Sequence, residues 1–269
     1  MALTKVLIAV KTYPTLSYKY DELVCTAGFL ENGTWIRLYP VPFRKLDYGA
    51  QYKKYDWIEL DLVKNTSDFR PESYRPRSLD AEIRVIGHVS TKDNWRERKE
   101  IVLKNVYTNF SKIKQEAKDR NIKTSLVVFK PAKIKKFNYK EVGRKWSKEK
   151  LAQLAQGNLF EKNGVQFEVV RKLPYKFSYT VIDDEGVEST MMIEDWEIGA
   201  LYWKMLKKYE GDEARACADV EKKYFHDFAK TKDLYLFLGT TKANHFRAPN
   251  PFIIIGTFHP KKEIQTKLF

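Results

Sequence analysis

A chain of 269 residues that is 43% hydrophobic and 14% aromatic carries enough apolar surface to offset the entropy of ordering. This excludes a disordered polymer and leaves room for one large domain or two of ordinary size. The 49 Lys and Arg against 35 Asp and Glu give a formal net charge of +14, spread along the chain, which favours a polyanionic partner and above all nucleic acid. The only cysteines, Cys25 and Cys217, are too few for a disulfide scaffold or a cysteine zinc site, which suggests a reducing, cytoplasmic setting.

The first apolar run, Val6 to Val10, stops at Lys11. It is too short for a signal peptide or a membrane helix and reads as a first strand, so no membrane partner is expected. Leu23 to Leu30 and Trp35 to Val41 read as a hairpin about Asn32-Gly33, and Trp57 to Val63 alternates as a further strand. Ile83 to His88 reads as another. From Asp93 to Arg120 the period becomes helical, with Val102, Val106, Phe110, Ile113 and Ala117 on one face, as one long helix or two broken near Asn109. Ser125 to Phe129 and Ile134 to Tyr139 are strands separated by Pro131.

The polar stretch that follows, punctuated by Gly143, Gly157 and Gly164, reads as a linker with a short helix from Ser147 to Gln156. Beyond it, Tyr175 to Ile182 and Val187 to Ile193 form a hairpin across Asp183-Asp184-Glu185-Gly186. Two helices follow. The first carries acids at its start and lysines at its end, and Asp212 caps the second. The apolar runs "LYLFLG" and "PFIIIGTF" are a last pair of strands. The fold class is therefore α+β. A β-rich module, barrel-like or a strongly twisted antiparallel sheet with a long amphipathic helix, occupies 1–142. A charged linker spans 143–165, and a smaller α+β unit with a helical hairpin spans 166–269.

Side chains two apart on a strand share a face, so Trp35, Arg37 and Tyr39 line up. A two-residue turn at Asn32-Gly33 sets Gly28 opposite Arg37 and puts Phe29, Ala27, Ile36 and Leu38 together on a core face. Gly28 then leaves open space beside the guanidinium for a planar ligand. Stacked bases between aromatic rings, with phosphates on arginine, are the way single-stranded nucleic acid is held, and an extruded base is read similarly. Arg44, Arg70, Arg75 and Arg77 lie in two basic, tyrosine-bearing loops, the second stiffened by Pro71 and Pro76. The long loop after "LYLFLG" adds Lys242, His245 and Arg247 as phosphate contacts.

These observations predict a nucleic-acid-binding protein with Trp35, Arg37, Tyr39, Arg44, Arg70, Arg75, Arg77, Lys242, His245 and Arg247 at its interface. The competing expectation is an enzyme acting on nucleic acid. It would be either a base-modifying enzyme with a pocket beside Gly28 or a nuclease holding Mg²⁺ on the carboxylates from Asp183 to Glu197, Asp195 and Glu197 foremost; His245 could separately act as an acid or base. Without that Mg²⁺, no cofactor or metal is expected. A third is a basic subunit that meets an acidic protein through its C-terminal unit. The sequence holds no Gly-rich phosphate loop, no His-Glu-x-x-His and no Gly-x-Ser-x-Gly.

Overall fold

Strand β1 (Thr4–Lys11) carries five consecutive fully buried residues, Val6 to Val10. A strand with no polar face must be covered on both sides, and that requirement organises the molecule. In the computed structural model, which describes residues 3–17, 21–46, 48–78, 80–149, 151–152 and 169–263, β1 lies near the middle of a curled sheet of eight strands. Its neighbours are β3 (Asp21–Phe29) and β5 (Asp56–Leu60), both antiparallel. Outward from β3 come β4 (Trp35–Val41), β7 (Ser73–Pro76) and β6 (Leu62–Lys64). Outward from β5 lies β8 (Arg84–His88), and β2 (Thr15–Ser17) pairs with β3. The β4–β7 pair is parallel.

The concave face gathers Val6, Ile8, Ile36, Leu38, Phe43, Tyr52, Ile58 and Leu60 into one core. The opposite face presents Leu7, Ala9, Ala27 and Phe29 to the other half of the chain. That half begins after helix α1 (Lys92–Val102), with β9 (Val106–Tyr107) and helix α2 (Phe110–Lys118). The helical region thus divides in two, and Asn109 caps the second helix by accepting from Lys112 N at 2.8 Å.

Strand β10 (Leu126–Phe129) joins β9, β14 (Tyr235–Thr240) and β15 (Phe252–Phe258) in a four-stranded sheet. Strand β11 (Lys133–Glu141) joins β12 (Tyr175–Ile182) and β13 (Glu188–Met192) in a three-stranded one. Residues 106–142, grouped by sequence with the N-terminal module, thus pair with C-terminal strands. Helices α3 (Trp196–Lys208) and α4 (Glu213–Glu221), the latter continuing into the π-helical segment Lys222–Ala229, cover these sheets through Ile198, Tyr202, Cys217, Val220 and Tyr224. The helix expected from Ser147 to Gln156 falls partly on residue 150 and 153–156, outside the described residues.

The halves meet across a shared apolar seam. Leu126, Val128, Phe237, Ile255 and Phe258 pack on Leu7, Phe29 and Trp35, and the Trp35 ring lies 4.0 Å from Phe29 and 5.5 Å from Phe237. No helix among the described residues is long and apolar enough to cross a membrane.

Candidate functional site

The hairpin between β3 and β4 turns differently from the sequence expectation. Gly33 N–H donates to Leu30 O at 2.8 Å and Leu30 N–H to Thr34 O at 2.9 Å, so three residues, not two, lie between the closing pair. Gly33 takes φ +84°, the left-handed residue such a loop requires. Phe29 therefore faces Trp35, Gly28 faces Ile36 and Ala27 faces Arg37. A one-residue slip exchanges the faces of a strand relative to its partner. Trp35 and Arg37 thus share the seam face with Phe29 and Ala27, while Ile36 and Leu38 enter the concave core. The open space expected at Gly28 does not exist, because a Cβ there would lie 2.0 Å from Leu7 O. Glycine is needed for the approach of β3 to β1.

Beside this face, the joint between the halves encloses a cavity of about 330 Å³. Arg37 and Tyr39 from β4, Asp68 and Arg70 from the loop before β7, Glu194 after β13, Thr240 to Lys242 after β14, and Ile253 and Ile255 from β15 contribute to its lining. Four residues singled out by sequence, Arg37, Tyr39, Arg70 and Lys242, thus meet at one cavity. Its polarity is uneven. Arg70 is buried and donates through Nε to Asp68 Oδ1 at 2.9 Å, through Nη2 to Asp68 Oδ2 at 2.6 Å and through Nη1 to Thr240 O at 2.5 Å. Burial would raise the Asp68 carboxyl, but the hydrogen bonds and charge of Arg70 outweigh it and hold the group at about 2. Arg37 is only 3% exposed. Its Nη2 donates to Ser125 Oγ at 3.1 Å and lies 3.7 Å from Glu72, while its Nε has no partner.

Tyr39 and Lys242 are exposed, and Lys242 donates to Ser67 O at 2.5 Å. Glu194 also lines the cavity; its N–H donates to Ile254 O at 2.8 Å, and its half-buried carboxyl makes no side-chain hydrogen bond among the described residues. Burial pushes its pKa up, against the charge of Lys176.

The remaining predicted residues are dispersed. Trp35 is packed in the seam, Arg44 sits on the turn Phe43–Lys45, and Arg77 pairs with Asp61 at 2.5 Å. Arg75 donates to the carbonyls of Pro76 and Arg77, and Arg247 is exposed. His245 is fully buried. Its Nδ1 lies 2.7 Å from Thr240 Oγ1 and its Nε2 lacks a partner; burial lowers its pKa, with Arg70, Lys118 and Arg37 adding to the effect.

Asp195 and Glu197 face a cation supplied by the other half. Lys54 Nζ donates to both Asp195 oxygens at 2.8 and 2.9 Å and to Glu197 Oε2 at 2.9 Å. Asp195 also caps α3, and Asp183 accepts from the N–H groups of Phe110, Glu185 and Val187. No group of three or more His, Cys, Asp or Glu among the described residues is placed to hold a metal ion. Asp68, Thr240, Ile253 and Ile255 carry no sequence signal that points to this cavity, and Glu194 stands out in the sequence only as one of the acids from Asp183 to Glu197, because no spacing rule unites residues drawn from separate segments.

Residues 106–269 match the family described as "Domain of unknown function (DUF8757)", and residues 2–104 match that described as "Domain of unknown function (DUF8758)". No curated protein matches the chain. A solved structure described as "Structure of murine DNA binding protein bound with ds DNA" aligns over 98% of each chain at 10% identity with a TM-score of 0.32, a likeness too slight to carry an argument.

Proposed function

The chain belongs to the DUF8757 family, and from the geometry of the seam we propose that it binds nucleic acid, with one nucleotide unit lodged between its two halves. The observation that carries this reading is a cavity of about 330 Å³ that opens beside an exposed tyrosine and an exposed lysine. Its volume lies at the lower end of the range for small-ligand sites, suited to one base and not to a duplex. Tyr39 offers a ring on which a base can stack, and Lys242 offers a charge for the adjoining phosphate. The net charge of +14 supplies the long-range attraction for the polymer.

The test is fluorescence anisotropy with single-stranded DNA, duplex DNA and RNA of matched sequence, each titrated at several salt concentrations. Tyr39→Ala should weaken binding by roughly tenfold, the loss expected for one stacked base. Lys242→Ala should weaken all sequences alike and reduce the salt slope by about 1. If neither substitution changes affinity, the seam is not the interface.

A further inference from the structure

The charges inside the seam cavity limit what can enter it. Arg70 is satisfied by both oxygens of Asp68 and by Thr240 O, and Arg37 by Ser125 and the nearby Glu72. With these guanidiniums already neutralised, the interior is no anion hole, and a phosphate is better placed outside, near Lys242. What remains inside suits a neutral planar group. Ile253 and Ile255 give apolar wall, Thr240 and Thr241 give hydroxyls, Arg37 Nε is buried without a partner, and the half-buried Glu194 lines the cavity with no side-chain hydrogen bond among the described residues.

Glu194 is the informative one. Its backbone is fixed at both ends of the peptide, by its N–H to Ile254 O at 2.8 Å and by Tyr13 N–H to its own carbonyl at 3.1 Å. The side chain is therefore carried on a fixed strand end, half-buried at the cavity wall, where partial desolvation favours a pair of N–H donors on the carboxylate. A carboxylate presents two acceptors side by side. Among the four DNA bases, guanine alone offers two adjacent donors on its pairing edge, N1–H and N2–H. Adenine and cytosine set one amine beside a bare ring nitrogen, and thymine sets N3–H between two carbonyls that a carboxylate repels.

We infer that the seam cavity takes a single unpaired guanine base, with Glu194 as the residue that selects it. This rests on the nucleic-acid reading above and narrows it to a base.

The experiment compares a fully paired duplex with four duplexes identical except for one unpaired central dG, dA, dC or dT, and a thymidine tract with and without one dG. All are titrated against the intact chain and against Glu194→Gln and Glu194→Leu. Wild type should favour the dG probes by roughly tenfold, the scale of a hydrogen bond to a charged group. Glu194→Leu should bind the probes alike. Glu194→Gln, which keeps the shape but offers one acceptor, should lose most of the preference; it carries the test if thermal melting shows that the leucine variant does not fold. Wild-type binding to all probes within about twofold overturns the guanine assignment while the nucleic-acid reading stands. A dG preference that survives in a folded Glu194 variant overturns the role of Glu194. Absence of binding to every DNA probe overturns the guanine assignment, and absence of binding to matched RNA as well overturns both readings.

Discussion

His259 illustrates how a single half-buried residue couples the stability of this chain to pH. Its ring stacks 3.7 Å from Phe228 and lies 5.0 Å from Trp95, and its Nδ1 has no partner. Burial, with Lys54, Lys223 and Lys232 adding to it against Glu197, pushes the imidazole from 6.5 down to about 4. The unfolded chain therefore takes up the proton first. The stability contributed by the neutral ring is complete above 6.5 and is lost as pH falls toward 4, by up to about 3 kcal/mol. Asp195 acts in the opposite sense: burial, against the charge of Lys54, raises it from 3.8 to about 6, so the folded state takes up its proton first. Urea denaturation of wild type and His259→Gln across this range separates the two effects. The difference between them should shrink as pH falls, and a constant difference would mean that His259 does not titrate in this window.

At the scale of elements, the hairpin loop and the first turn of α1 show local geometry set from a distance. Asp93, Asn94 and Trp95 all adopt left-handed backbone, at φ 49°, 52° and 66°, at a cost of about 1–2 kcal/mol per residue. The turn is held by Asn94, which donates to Lys261 O at 2.9 Å and accepts from Lys261 N at 2.7 Å, and by Trp95 against Phe258. In the hairpin, one extra loop residue moves Trp35 and Arg37 from an expected ligand face into the seam. Gly28 is the sharpest test of that register. Gly28→Ala should destabilise the protein by at least about 1–3 kcal/mol in chemical denaturation, since its methyl group meets backbone and not a movable side chain. A neutral effect would restore the open space that the two-residue turn implies.

At the scale of the whole molecule, the matched ranges 2–104 and 106–269 are two sequence families but share one core. Phe237 from the second half touches Phe29 and Trp35 from the first, at centroid distances of 6.2 and 5.5 Å. Lys54 crosses the same joint to reach Asp195, 141 positions away in sequence. Cutting between the halves exposes this apolar face and leaves buried charges unpaired, so the intact chain should unfold in one transition seen alike by tryptophan fluorescence and circular dichroism. Phe237→Ala should cost about 3–5 kcal/mol and lower the stability of both halves together. Separate transitions for the two halves would contradict a shared core.

The sequence by itself determined the α+β class, the existence of most strands, the turn at Asp183 to Gly186 and the cap at Asp212, which accepts from Arg215 N at 3.0 Å. Each of these rests on residues within a few positions of one another, where period, turn chemistry and capping act directly. Tertiary structure alone decided which face of β4 is buried, which acid neutralises each arginine and lysine, and that the cavity lies between the halves. Arg70 illustrates the reason: a basic loop residue in sequence, it is held by Asp68 two positions away and by Thr240 O at a separation of 170. A charged side chain carries no local mark of its distant partner, because that pairing is fixed by the packing of apolar strands that have no charge of their own.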